Sequence, residues 1–270
     1  MKVFDAHADT LSATEKLDIH TAPDTELTRI YAIWGGAEAT YESRYLPLLK
    51  RWREAKFNDT SAMLSVEGAH VLDCSLERLR DAAADGVCAV TLTWNNANSV
   101  SGSCADNYDC GLTRFGRTFV RECERLNVTV DAAHLSERGF YDVAEMCAKP
   151  FAVTHANSAA VCPHRRNLSD DQFRTLIQTG GAAGITFHQD FAGGAEIDRL
   201  VRHIMHWLDF DGGENAIGIG TDFDGGITPV RGLEDDSGFI WLFDELILRG
   251  VSAETANKIM YGNWARIFKT

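Results

Sequence analysis

Proline, basic charge and domain linkers are all scarce in this sequence of 270 residues. It contains five prolines and no Gly/Ser-rich stretch, so no feature divides the chain into separate folding units. Asp and Glu outnumber Lys and Arg by 39 to 26, which gives a net charge of −13. Nucleic acids and anionic membranes both require a basic surface, so this composition disfavours them as partners. The sequence predicts a single domain over residues 1–270.

Long apolar runs and paired cysteines are also missing. A membrane-spanning helix needs about 18 uninterrupted apolar residues, and no stretch of this sequence approaches that length. The opening MKVFDAHADT has no apolar segment of the kind found in secretory signal peptides. The seven cysteines are odd in number and form no CxxC pair, unlike a disulfide framework. We therefore expect free thiols in a cytoplasmic protein, and the alternative is a bond between Cys104 and Cys110, which flank a short polar loop.

Short apolar runs alternate with helical patterns along the chain. The runs are continuous and rich in β-branched residues, as in strands buried on both faces of a parallel sheet. There are eight, at residues 2–4, 29–34, 62–66, 87–93, 128–132, 151–154, 182–187 and 216–220. Eight alternating strand and helix units are the number that closes a (β/α)8 or TIM barrel, an α/β fold. The alternative, an open doubly wound sheet, lacks its glycine fingerprint after the first run. A final helix is predicted over residues 252–268, with Ser252 as its cap.

Histidines and carboxylates recur where these runs end. In a barrel the carboxyl ends of all strands face one opening, where the active site lies. The residues at these positions are His7, Asp9, Glu67, His134, His155 and Asp222. Each alone has an ordinary structural interpretation, but together they predict a convergent metal site, because imidazole and carboxylate suit Zn²⁺ and carboxylates can bridge two ions. His188, after the seventh run, is left open between cavity lining and no role. No chemistry is assigned to His20, His70, His164, His203 and His206.

Several segments resemble the membrane dipeptidase (renal dipeptidase) family of zinc peptidases, in its bacterial type. DAHAD resembles the family's DGHND-type metal motif, SVEG its bridging-glutamate segment and VDAAHLS its D-x-SH-x-S segment. The long stretch FAVTHANSAAVCPHRRNLSDDQ resembles the signature that runs from SHS through RRN-x-x-DD. GIGTDFDGG and GLEDDSGF resemble the G-x-DFDG and GLED segments. The resemblance covers nearly the whole chain.

The resemblance implies a binuclear zinc centre. His7 and Asp9 would bind one ion, His134 and His155 the other, and Glu67 would bridge the two. This ligand set also accepts Mn²⁺ or Co²⁺. Two metals about 3.5–4 Å apart can hold a hydroxide between them and lower its pKa toward neutrality.

The resemblance also assigns the remaining roles. Asp222 would be the general base and acid beside the hydroxide, so Asp222 and Glu67 are the predicted catalytic residues. Arg166 would bind the substrate's C-terminal carboxylate, because its fork matches a carboxylate bidentately. The expected reaction is hydrolysis of a small dipeptide, with dipeptides that carry a D-residue second among the candidates. A homodimer is implied in the same way.

One position departs from the family's best-known members. They carry His in an LTH segment, where it stabilises the oxyanion, and this chain has Trp94 in LTWNNAN. Trp offers one N–H donor and cannot become cationic. Asn95, Asn96 and Asn98 are the alternative donors, and Trp94 and Asn95 are counted with Arg166 and Asp222 as substrate-binding. Two other functions stay open: a barrel amidohydrolase for a cyclic amide, lactam or lactone that stacks on Trp94, and a non-catalytic metal-binding barrel.

Overall fold

Eight parallel strands close a barrel in the computed structural model, which describes residues 1–13, 18–19, 24–57 and 60–269. The strands are β1 (Lys2–Ala8), β2 (Glu26–Ile33), β3 (Thr60–Glu67), β4 (Val87–Thr91), β5 (Thr129–Asp131), β6 (Ala152–Val153), β7 (Ala182–Ile185) and β8 (Ile217–Ile219). Each pairs in parallel with the next, and β8 returns to β1 through Ile219 and Asp5. The predicted α/β barrel is confirmed. A short parallel pair, Asp18–Ile19 with Lys56–Phe57, lies outside it.

Helices follow the strands as the alternating pattern predicts. They are α1 (Thr10–Ala13), α2 (Leu46–Glu54), α3 (Leu76–Ala84), α4 (Arg114–Leu126), α5 (Glu137–Met146), α6 (Asp170–Thr179), α7 (Gln189–Ala192), α8 (Ile197–Leu208), α9 (Gly238–Leu248), α10 (Ala253–Asn257) and α11 (Asn263–Phe268). Wider π-type turns occupy Tyr41–Tyr45 and Lys258–Gly262, and 3-10 turns occupy Ala69–Leu72 and Gly213–Asn215. The predicted final helix is thus divided in two by the second π-type turn. Ser252 does cap it, because its Oγ accepts the Thr255 N–H at 3.1 Å.

The largest difference from the predicted strands concerns β1. The apolar run stops at Phe4, but the strand continues to Ala8, so His7 lies within the strand rather than after it. Polar residues can continue this strand because they have buried partners: Arg29 of β2 donates from Nε to Asp5 Oδ2 at 2.7 Å. The Thr221 N–H donates to Asp5 Oδ1 at 2.8 Å, which ties the end of β8 to β1.

Helix α11 closes the barrel at the amino ends of its strands. Arg266 donates to the carbonyls of Gly180 and Asn215, which directly precede β7 and β8. The fully buried Trp264 donates from its indole N–H to Ile219 O at 2.8 Å. A Cβ on Gly218 would overlap this indole, so β8 needs glycine there for the helix to approach.

Two expectations about chemistry outside the site can be checked directly. All seven cysteines are free, including Cys104 and Cys110. Among the described residues, no helix combines the length and the apolar character needed to cross a membrane.

Candidate metal centre

Four side chains from four strands or the turns after them meet at the carboxyl end of the barrel. Glu67 Oε1 lies 3.0 Å from His134 Nε2, 3.4 Å from His155 Nε2 and 3.8 Å from His7 Nε2. All four residues are buried, and the most accessible, His134, is 7% exposed. The structure therefore brings these sequence-predicted ligands to one point.

Asp9 and Asp222 also lie close to His7. Asp9 Oδ2 is 3.7 Å from His7 Nε2, and the Asp222 N–H donates to His7 O at 3.0 Å. Ligand atoms of His7, Asp9 and Asp222 all lie within 4.8 Å of one another, as do those of His7, Glu67 and His155. Five of the six predicted residues thus form two overlapping groups that share His7, and the sixth, His134, lies 3.0 Å from both Glu67 Oε1 and His155 Nε2.

Neighbouring side chains fix the protonation of two of these histidines. Thr154 Oγ1 donates its only hydrogen to Asp131 Oδ2 at 2.6 Å, so it accepts from His155 Nδ1 at 3.0 Å. Asn95 Oδ1 lies 3.1 Å from His134 Nδ1, and an amide oxygen only accepts. Both histidines therefore carry their proton on Nδ1, as metal-binding imidazoles with such partners do.

With the protons on Nδ1, the unprotonated Nε2 atoms of His134 and His155 lie close together. His134 Nε2 and His155 Nε2 are 3.0 Å apart, and both face the Glu67 carboxylate. His7 Nε2 and Asp9 Oδ1 are buried and have no hydrogen-bond partner among the described residues. Buried polar atoms are almost always paired, and a cation is the partner that imidazole nitrogen and carboxylate oxygen share. The donor set fits a divalent metal.

Burial and mutual repulsion shift the acid–base properties of the cluster. Burial, reinforced by Asp9, raises the pKa of Glu67 well above its usual range and that of Asp222 to about 7. Burial lowers the pKa of His134 and His155 well below the ordinary value. For His7 burial also acts to lower the pKa, but the carboxylates of Glu67 and Asp9 raise it to about 10. A bound cation would take the place of these proton-based interactions.

The backbone at the site is strained. His134 and Asp222 have φ of 65° and 64°, in the left-handed region that costs a non-glycine residue about 1–2 kcal/mol. A Cβ on Gly225 would overlap Asp222 Oδ1 and lie 2.6 Å from Asp9 Oδ2, so only glycine lets these carboxylates approach the turn. Such strain is typical of functional sites.

A cavity of about 250 Å³ opens beside the cluster. Its lining residues are Asp9, Trp34, Glu67, Trp94, Asn95, His134, His164, Arg165, Arg166, His188, Phe191, Asp222, Gly225, Gly226 and Ile227. The buried Arg166 donates from Nη2 to His155 O at 3.3 Å, and no carboxylate pairs with it among the described residues. Its guanidinium is therefore available to an anion bound in the cavity.

The structure adds residues that sequence reasoning missed. Trp34 and His164 line the cavity, although the first was not singled out and the second was assigned no chemistry. His188 also lines it. His203 and His206 instead make structural hydrogen bonds, to the Ser158 N–H and to Asp170. His70 bonds to the carbonyl of Gly36, and His20 lies outside the described residues.

Two supporting carboxylates were also missed. Asp5 and Asp131 lie two and three residues before the predicted ligands His7 and His134. Both are buried and bind threonines that follow neighbouring strands. An Asp shortly before a ligand His was the available signal, but its partners are distant in sequence.

A barrel that gathers buried imidazoles and carboxylates at the carboxyl ends of its strands places the protein among the metal-dependent hydrolases. The family model described as "Membrane dipeptidase (Peptidase family M19)" matches residues 42–270. The chain belongs to this family.

Individual relatives agree with that assignment. The chain is 32% identical over 234 residues to an uncharacterised Klebsiella pneumoniae protein of the pqqA 5′ region, covering 82% of this chain and 85% of that one. It is 33% identical over 219 residues to an uncharacterised dipeptidase of Schizosaccharomyces pombe, covering 76% of this chain and 52% of the relative. This chain thus spans about half the length of the yeast protein.

A solved structure shares the fold. It is a metallopeptidase from Rhodobacter sphaeroides with a bound phosphinate mimic of the dipeptide L-Ala-D-Ala. The TM-score is 0.81 at 24% identity, and the alignment covers 100% of this chain and 99% of the other.

Proposed function

We propose that this protein hydrolyses dipeptides at a centre of two zinc ions, held by His7, Asp9, Glu67, His134 and His155. The observation that carries the proposal is the convergence of His7, His134 and His155 on the Glu67 carboxylate, beside a cavity lined by an arginine that has no carboxylate partner among the described residues. Zinc bound there would supply a nucleophilic hydroxide near neutral pH and polarise the scissile carbonyl. The family membership supports the reaction class.

Residues of the chain would then transfer the proton and bind the substrate. Asp222, which is buried close to His7 and Asp9, would accept a proton from the nucleophile and return it to the leaving amine. Arg166 binds the substrate's terminal carboxylate. A cavity of about 250 Å³ suits a dipeptide better than a longer peptide.

Substrates with a D-residue in second position are part of the proposal. The mimic bound by the Rhodobacter sphaeroides metallopeptidase has D-Ala at that position. Trp34 and Trp94, with ring centroids 5.4 Å apart, form an aromatic wall that would also suit a cyclic amide. The unpaired Arg166 favours the linear substrate, because a dipeptide has a free carboxylate.

The decisive experiment is turnover of a dipeptide library, in L-L and L-D series, by zinc-reconstituted protein with Glu67→Ala as the control. Turnover in the wild type that is lost in the variant supports the proposal. Turnover of cyclic amides with inert dipeptides would replace it with the amidohydrolase alternative. Full zinc occupancy with no turnover of dipeptides or cyclic amides would favour a non-catalytic metal-binding barrel. Separate reconstitution with Mn²⁺ or Co²⁺ identifies the preferred metal.

A homodimer and a cytoplasmic location stay predictions. The surface we assign to a dimer contact is the apolar face of α9, formed by Ile240, Trp241, Ile247 and Leu248, where Trp241 is 62% and Leu248 81% exposed. Light scattering of wild type and Trp241→Glu tests it: a dimer converted to a monomer supports the assignment, and a monomeric wild type removes it.

A further inference from the structure

Three asparagines follow β4, and the structure separates their roles. The side-chain amide of Asn98 forms hydrogen bonds within its own loop. Its Nδ2 donates to Leu92 O at 2.9 Å, and its Oδ1 accepts two backbone N–H groups, the closer from Val100 at 2.8 Å. Asn95 belongs to the lining of the catalytic cavity, whereas Asn96 does not in the described part of the chain. Asn95 is therefore the one of the three that can meet a substrate.

The contact with His134 fixes which end of the Asn95 amide faces the cavity. His134 Nε2 faces Glu67 Oε1 at 3.0 Å and must be unprotonated to bind a metal, so the proton lies on Nδ1. Asn95 Oδ1 accepts the hydrogen bond from this N–H at 3.1 Å. Its Nδ2 is then directed away from His134 and has no partner among the described residues, which leaves two N–H donors.

Asn95 and His134 are also held together through their backbones. Ser103, fully buried, donates from Oγ to Asn95 O at 2.8 Å. The next residue, Cys104, donates its N–H to His134 O at 2.8 Å. The amide is thus fixed relative to the ligand before any substrate binds, which is the condition for effective electrostatic stabilisation.

We propose that Asn95 is a catalytic residue that orients His134 through Oδ1 and donates from Nδ2 to the oxygen of the scissile carbonyl. The inference rests on the proposed dipeptidase function. It places the donor that the family's histidine supplies one residue further along the loop. Trp94 is then free to form the cavity wall with Trp34.

Two substitutions separate the two roles. Asn95→Asp keeps an oxygen that accepts from His134 and removes the donor, whereas Asn95→Ala removes both. Asn96→Ala is the matched neighbour control. Zinc affinity is measured by competition with a chromogenic chelator, and kcat and KM at full zinc occupancy.

We expect Asn95→Asp to bind zinc at least as tightly as wild type while kcat falls about 100-fold or more, with KM changed by only a few-fold. Asn95→Ala should lose kcat similarly and also lose about 10–100-fold in zinc affinity. Asn96→Ala should match the wild type in both measurements.

Each role has its own contrary result. Unchanged kcat in Asn95→Asp overturns the donor role, as does a zinc-saturated Asn95→Ala with wild-type kcat, because the loss in Asn95→Asp would then come from charge repulsion. Unchanged zinc affinity in Asn95→Ala overturns the orienting role. If the wild type hydrolyses no dipeptide, the proposed function and the donor role both fail, and zinc affinity still decides whether Asn95 orients His134.

Discussion

The two ends of the barrel treat their buried polar atoms in opposite ways. At the amino end, α11 pairs them: Trp264 donates to Ile219 O, and Asn263 donates to Ile217 O at 2.7 Å. At the carboxyl end, His7 Nε2 and Asp9 Oδ1 are buried without a hydrogen-bond partner among the described residues. One end follows the general rule for buried polar groups, and the other departs from it.

The backbone shows the same contrast. His134 and Asp222, at the carboxyl end, are in the left-handed region without capping a helix, whereas Asn127 and Lys269, toward the amino end, are in this region as the C-caps of α4 and α11. Stabilising contacts at one end and a strained backbone at the other are the arrangement expected of barrel enzymes, in which stability and chemistry occupy opposite faces. Substitutions at the two ends should therefore affect different measurements.

The largest expected effect is on catalysis, from Glu67→Gln. Loss of the carboxylate that faces three imidazoles should lower kcat/KM on the order of 1000-fold, because several kcal/mol of transition-state stabilisation depend on the metal. The same change should stabilise the chelator-treated protein by on the order of 1 kcal/mol, because burial and Asp9 raise the pKa of Glu67, so that folding must either protonate this carboxyl or bury its charge, and Gln requires neither. Urea unfolding with excess chelator measures this. A Glu67→Gln protein less stable than the wild type would contradict the contrast between the ends.

Substitutions at the amino end of the barrel should instead lower the free energy of unfolding. Trp264→Ala removes a fully buried indole and should cost about 3–5 kcal/mol of unfolding free energy. Trp264→Phe keeps most of the packing, loses the bond to Ile219 O and should cost about 1–2 kcal/mol. Denaturant unfolding and kcat per folded, zinc-loaded molecule are the measurements. If kcat of Trp264→Phe falls while its unfolding midpoint stays the same, the two ends are coupled rather than separate.

The sequence predicts the two ends unequally well. The alternation of apolar runs and helices predicts all eight strands, and the polar residues after the runs predict which side chains converge. It does not reveal that β1 continues through His7, because the partner that lets Asp5 enter a buried strand, Arg29, comes from β2. Nor does it reveal the link from His155 through Thr154 to Asp131, or the cavity wall at Trp34. These features depend on contacts between residues far apart in the chain, which local patterns do not contain.

A smaller effect is expected from Arg166→Ala, which changes the cavity while keeping all the side chains proposed to bind metal. KM for dipeptides should rise about 10–100-fold with kcat changed little, because a charge-assisted hydrogen-bonded pair contributes about 1.5–3 kcal/mol. A dipeptide amide, which has no carboxylate, should show the same loss in the wild type and little further loss in the variant. Arg165→Ala, on the neighbouring exposed cavity residue, is the control. An unchanged KM in Arg166→Ala would show that this arginine does not bind the carboxylate.

The last expected effect is on the pH dependence of stability and concerns His203, which ties α8 to the segments that follow β6 and β7. Its Nδ1 accepts the Ser158 N–H at 3.0 Å, and the other ring nitrogen, at 3.2 Å, donates to Ala192 O, so α8 is tied to the loop that follows His155. Burial lowers the pKa of His203 from 6.5 to about 4, so the unfolded chain binds a proton more readily than the folded protein. The contribution of His203 to stability should be complete above about pH 6.5 and lost progressively toward pH 4, by about 3 kcal/mol in all. Urea unfolding of the chelator-treated protein across this range should show a flatter profile for His203→Gln than for wild type, and parallel profiles would mean that His203 does not titrate in this window.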